Sequence, residues 1–263
     1  GIGLAMRGFR PIAEIQYLDY LMFALQTLSD DLATVSYRSV GKQLAPLIVR
    51  TRGHRLEGMW HAGSPMGMIL NSLKGMLVLT PRNMVQASGM YNTLMSCTDP
   101  ALIIEPLNAY RLKEKEPLNL GEFTVPLGKI EIINPGTDIT VVSYGSTLKL
   151  VEKTISELER NNINIELIDI QSLIPFDLNK DIVESIKKTN KLLIVDEDYP
   201  GGASSFILKV LIEDHNGFKY LDSKPITLTA KEHRTPYGSD GDYFSKPSID
   251  DIFEACYRIM HEY

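Results

Sequence analysis

The sequence predicts an α/β protein built as two parallel-sheet domains. Three observations point there. Short apolar runs alternate with longer amphipathic segments along nearly all of the 263 residues, the pattern of strands joined by crossover helices. The runs are apolar throughout, as strands buried on both faces of a parallel sheet must be. Between residues 110 and 136 a charged stretch carrying Pro117 and Pro126 interrupts the alternation. Residues 1–120 therefore read as one domain, 121–136 as a linker and 137–263 as a second domain.

In the first domain, residues 11–15 (PIAEI) read as a strand. Residues 20–37 follow as a helix, with Leu21, Ala24, Leu25, Leu28 and Leu32 at helical spacing. A strand at 47–49 leads into a loop rich in glycine, histidine and arginine that runs to about residue 63. A helix through Ile69 and Leu70, a strand at 76–79, a helix over 83–95 and a strand at 102–104 complete this half. The second domain repeats the alternation. Strands are expected at 139–142, 165–170, 192–195 and 226–228, with helical segments at 148–158, 182–186 and 206–212. The last helix begins at Ser248, whose hydroxyl can cap it while Asp251 three residues on completes a capping box.

Composition narrows the function. With 44% hydrophobic and 23% charged residues the chain resembles an ordinary globular protein. Acids exceed bases, 33 against 27, and the pI is near 5.5, so no strongly basic face is expected to meet nucleic-acid phosphates. No apolar run reaches the roughly 18–20 residues that span a bilayer. Cys97 and Cys256 are far apart and form no CxxC, which argues against a disulfide framework or a cysteine zinc site. A reducing cytoplasm is the expected compartment. The opening GIGLAMRGFRP reads as the interior of a folded unit, without the basic and apolar regions of a signal peptide. The chain is expected to be a piece whose N-terminal part lies elsewhere.

Several motifs are missing from the sequence. GIGLAMRG carries Met6 where a dinucleotide fingerprint needs its third glycine. No phosphate-binding GxxxxGK[ST], no GxSxG elbow and no HExxH occurs. The informative residues lie in the first half. The run from Glu14 to Tyr20, EIQYLDY, with Gln16 and Tyr20 in it, places polar and aromatic groups at the carboxyl end of a strand and the entry to a helix, where open α/β sheets bind ligands. A glutamine amide can pair with a heterocycle edge and a tyrosine ring can stack on a flat ring; the alternative is a strand end with an aromatic staple. The loop 52–64 holds two of the five histidines, the only tryptophan, and Gly53, Gly58 and Gly63, with Gly67 just beyond. His61, just before Ala-Gly-Ser-Pro, is placed to move a proton near neutral pH, or else to brace the loop. Met59, Met66, Met68 and Met76 read as gap-fillers. Asp196-Glu197-Asp198 reads as a solvated strand end, Lys113 to Glu116 as a solvated charge run, and Glu232-His233-Arg234 as a surface loop.

AMRGFRPIAEIQYLDY, SYRSVG, PLIVRTRG, the HxxS at His61 to Ser64, and DPALIIEP together resemble the beta subunit of the thiamine-diphosphate-dependent 2-oxo acid dehydrogenases, decarboxylating component, within the transketolase-like superfamily. PGTDITVVSYGS and IELIDIQSLIPFD extend the resemblance over nearly the whole chain. It implies a thiamine pyrimidine-binding domain, partial here, followed by a transketolase C-terminal-like domain. Tyr20 matches the aromatic residue against the cofactor aminopyrimidine, Gln16 a position lining that pocket, and His61 the histidine that handles substrate and lipoyl protons. The family's middle positions, Ser-Gln, are Ala-Gly here. The cofactor-activating glutamate lies before the position matching Gly1. Thiamine diphosphate with Mg2+ is then implied, the diphosphate and metal being held by an alpha part, fused or separate. A lipoyl acyltransferase is the implied acyl acceptor, and a homo- or hetero-oligomer the implied state. EIQYLDY and DPALIIEP lean toward branched-chain over pyruvate members. A catalytically silent assembly module and another transketolase-like thiamine enzyme stay open as alternatives.

Overall fold

A computed structural model of the chain describes residues 1–53, 61, 63–116, 118–238 and 240–261. In chain order the strands are β1 (Ile12–Ile15), β2 (Ile48–Gly53), β3 (Leu77–Leu79), β4 (Ala101–Pro106), β5 (Glu131–Asn134), β6 (Ile139–Ser143), β7 (Ile165–Asp169), β8 (Ser172–Ile174), β9 (Leu192–Val195) and β10 (Ile226–Leu228). The α-helices are α1 (Ile2–Met6), α2 (Leu21–Gln26), α3 (Val35–Arg38), α4 (Met66–Ser72), α5 (Met84–Ser96), α6 (Leu148–Arg160), α7 (Asp181–Thr189), α8 (Ala203–Lys209), α9 (Gly241–Ser245) and α10 (Ile249–His261).

They form two five-stranded sheets, ordered β1-β2-β4-β3-β8 and β10-β9-β6-β7-β5. Central pairings are parallel, as the apolar runs imply: β6, β7 and β9 are buried at every position. Each sheet departs from the expectation at one edge. β5 runs antiparallel to β7, inside the stretch read as linker. β8 runs antiparallel to β3, so a strand from the second half completes the sheet of the first. Both edge strands are three or four residues long and carry polar positions, which left no periodic signal to read.

The helix expected over 20–37 is broken. A 3-10 turn at Leu18–Tyr20 precedes α2, a π-helical turn occupies Thr27–Leu32, and α3 follows. Leu21, Leu28 and Leu32 still reach the core, so the apolar spacing was met by a segment with an altered turn. α5 and α10 begin as their sequences specify. Asn83 accepts from the Gln86 amide at 2.9 Å; the Ser248 amide donates to the Asp251 carboxylate at 2.9 Å, and the Asp251 amide donates to the Ser248 hydroxyl at 3.1 Å. One core cluster joins Leu18, Leu70 and Leu102 of the first half to Tyr144, Ile194 and Leu211 of the second. The halves are therefore packed through a shared interior.

Candidate functional site

The turn after β1 carries the aromatic residues. It lies hard against β2, because a Cβ on Gly53 would sit 2.3 Å from Leu18 Cβ. Only glycine permits that approach. The turn is thereby pinned to the carboxyl end of the neighbouring strand, and Arg52 holds it again by donating from Nε to the Gln16 carbonyl at 3.1 Å. Parallel pairing of β1 with β2 thus brings residues about forty positions apart to one edge, the edge where ligands bind in such sheets.

His61 stands against this turn with its backbone in the left-handed region, φ 59°. A non-glycine residue held there is strained, and such strain gathers at functional sites. Its Nδ1 lies 3.0 Å from Asp19 Oδ2, and its Nε2 lies 3.4 Å from the Tyr20 hydroxyl. The ring stacks on Tyr17, centroids 4.2 Å apart and planes 7° from parallel, and meets Tyr20 edge-on at 4.9 Å. The Arg52 guanidinium sits 5.1 Å from the Tyr17 ring centre. The carboxylate accepts the Nδ1 proton, which leaves Nε2 as the free acceptor beside the Tyr20 hydroxyl. An oriented imidazole of this kind can take up or deliver one proton.

Of the residues singled out from the sequence, Tyr20 and His61 are brought together. Gln16 is not. It is exposed at the end of β1, held through its carbonyl, and its amide makes no hydrogen bond among the described residues. His54, Gly58, Met59 and Trp60 of the loop lie outside the described residues, as does Ala62. Met66 and Met76 are buried fillers, whereas Met68 is 40% exposed and faces a cleft.

That cleft, about 610 Å³, opens between the domains and is lined by Asp19, His61, Ser64, Asp198 and Arg234 among others. The reading of Asp196-Glu197-Asp198 as solvated is corrected here: all three are buried. They sit at the carboxyl end of β9, where the second domain packs on the first. Asp198 accepts from the Gly67 amide at 3.2 Å and from the Tyr199 amide at 2.8 Å. Burial, and after it the charge of Asp196, pushes its carboxyl up to about 7. Asp19 and Tyr17 were in view within EIQYLDY, yet nothing in their spacing singled them out from their neighbours. The Asp198 contact depends on domain packing, which leaves no local trace in the sequence.

A second cavity of about 930 Å³ lies beside α5. On its wall Glu105 accepts from Tyr91 at 2.5 Å and from Arg50 at 2.8 Å, and Tyr110 bonds the same carboxylate. The charge run from Lys113 to Glu116 is exposed, as read, but Glu114 also accepts from the Met84 amide at 2.6 Å at the start of α5.

These groups suit one part of a thiamine diphosphate molecule. Tyr20, 39% exposed, offers a ring to a flat heterocycle, while Tyr17 is already covered by His61. Among the described residues no group of three or more His, Cys, Asp or Glu side chains could hold a metal ion. Among the described residues no helix is long and apolar enough to cross a membrane.

Comparison with known proteins completes the description. Residues 1–113 match the transketolase pyrimidine-binding domain and residues 128–244 the transketolase C-terminal domain. The chain is 29% identical over 255 residues to the pyruvate dehydrogenase E1 component subunit beta of Acholeplasma laidlawii, covering 95% of this chain and 76% of that one. It is 31% identical over 265 residues to the 2-oxoisovalerate dehydrogenase subunit beta of Bacillus subtilis strain 168, covering 100% and 80%. A solved structure described as a split gene transketolase, inactive beta4 tetramer, shares the fold with a TM-score of 0.76 at 16% identity, over 98% of this chain and 79% of that one.

Proposed function

Because the chain belongs to the family of beta subunits of 2-oxo acid dehydrogenase E1 components, we propose that it supplies the pyrimidine side of a thiamine diphosphate site and the imidazole that works beside it. The observation that carries this reading is the His61 ring fixed between Asp19, Tyr17 and Tyr20. The complete enzyme would decarboxylate a 2-oxo acid and pass the acyl group to the lipoyl arm of an acyltransferase. When bound, thiamine diphosphate supplies the electron sink for carbon dioxide release, and the protein supplies orientation and proton transfer.

In this reading the Tyr20 ring bears on the cofactor heterocycle, while Gln16, expected beside it, stands apart at the end of β1. Asp19 keeps Nδ1 protonated so that Nε2 of His61 accepts or delivers the proton of substrate or lipoyl thiol. The diphosphate and Mg2+ fall to the alpha part, so the working unit is an oligomer with that part. The chain alone is proposed to be inactive. Pyruvate and 2-oxoisovalerate relatives are about equally similar, which supports the 2-oxo acid class. A reducing cytoplasm fits its two free thiols, Cys97 and Cys256.

The test is His61→Ala in the complete enzyme. Cofactor affinity should be nearly unchanged, and turnover with a lipoyl acceptor should fall by about 100-fold or more, the usual loss for a general acid–base group. Wild-type turnover in that variant would reduce His61 to a loop brace.

A further inference from the structure

The cleft between the domains holds a polar group that the imidazole does not use. On its wall Arg234 presents a guanidinium with no ion pair or hydrogen bond among the described residues. Its planar fork is shaped for a carboxylate. The rest of the lining includes Met22 and Met68, 56% and 40% exposed, whose thioether chains adapt to an aliphatic group.

We infer that Arg234 anchors the carboxylate of a small 2-oxo acid in this cleft, with Met22 and Met68 as the wall for its aliphatic side chain. The inference rests on the functional reading above and adds to it the groups that select the substrate. Two features favour a small monoanion over an acidic protein face, such as that of an acyl carrier. The cleft is concave and of limited volume, about 610 Å³. Among the described lining residues Arg234 is the one arginine and stands with Asp19, Asp198 and Glu232, so a broadly acidic surface would be repelled while a single carboxylate can pair with the guanidinium. The thioether wall favours 2-oxoisovalerate over pyruvate, whose methyl group would cover little of it.

The experiment uses the enzyme assembled with its alpha partner, thiamine diphosphate and Mg2+, and reads carbon dioxide release with a soluble electron acceptor in place of the lipoyl carrier. Arg234→Gln should raise KM for 2-oxoisovalerate by about tenfold or more, with Arg234→Lys in between, and should lower kcat/KM mainly through KM. If KM in Arg234→Gln stays within about twofold of wild type, the anchor is wrong. It is equally wrong if, in a parallel assay with a lipoyl-domain acceptor, only the KM for that domain moves, which would assign Arg234 to the acyl carrier. If the wild-type assembly releases carbon dioxide from no 2-oxo acid, the functional reading falls and the anchor with it. Activity with an unmoved KM sinks the anchor alone.

Discussion

With Asp19 Oδ2 3.0 Å from Nδ1, the His61 ring is fixed as the tautomer whose Nε2 faces the Tyr20 hydroxyl. An asparagine at position 19 could donate to Nδ1 and so favour the other tautomer. In the complete enzyme Asp19→Asn should lower turnover by roughly 10- to 100-fold, the usual cost of losing a group that orients an imidazole, with cofactor affinity unchanged. Turnover equal to wild type would show that the ring is held by Tyr17 and the loop alone. Asp198 makes a second residue-scale prediction. Its carboxyl is raised to about 7 by burial and then by Asp196, against about 3.9 in an unfolded chain. The folded state holds that proton more tightly. The stability it contributes is therefore greatest below about pH 4 and is lost as pH rises toward about 7, by at most about 1.4 kcal/mol per pH unit. Calorimetry across that range should show Asp198→Asn gaining on wild type as pH rises. Parallel curves for the two proteins would refute the shift. That Tyr20 and His61 meet could be read from the sequence, because parallel sheet topology brings strand ends together. Asp198 could not, since a run of three acids after a strand looks the same whether solvent or another domain covers it.

At the scale of elements, legibility followed periodicity. β6, β9, α6 and α10 lie within a residue or two of where their apolar patterns put them, because each buries a face that the pattern records. The π-helical turn at Thr27–Leu32 kept its apolar spacing and changed only its winding. β5 and β8 gave no signal, as short edge strands are specified by their partners. Caps are the opposite case, since they are written locally. The Ser248 hydroxyl accepts from the Asp251 amide at 3.1 Å at the head of α10, and α10 packs on α6. Ser248→Ala should therefore cost about 1 kcal/mol, a fall of roughly 2–4 °C in melting temperature for a chain of this size. A fall of less than about 1 °C would mean that Asp251 alone satisfies the helix start.

The molecule as a whole is less modular than its two matched domains suggest. One hydrophobic cluster spans both halves, and the β3–β8 pairing crosses between them. Thermal unfolding of the chain should then be a single transition, with calorimetric and van't Hoff enthalpies in agreement. Two resolved transitions would show that the shared interior is too weak to couple the halves.

β8 also limits how such a chain can be rebuilt by recombination. The charged stretch before β5 looks like a natural crossover point for exchanging the second domain with that of a relative. A hybrid made there would receive Ser172–Ile174 from the donor and set it beside a β3 from the recipient. The edge of the first sheet would become a junction between two ancestries, with Thr80 and Gln171 required to keep their backbone bond across it. Substitutions around β3 and around β8 are thus tied to one another. Hybrids that carry residues 170–175 from the same parent as residues 76–80 should express and fold where simple domain exchanges fail.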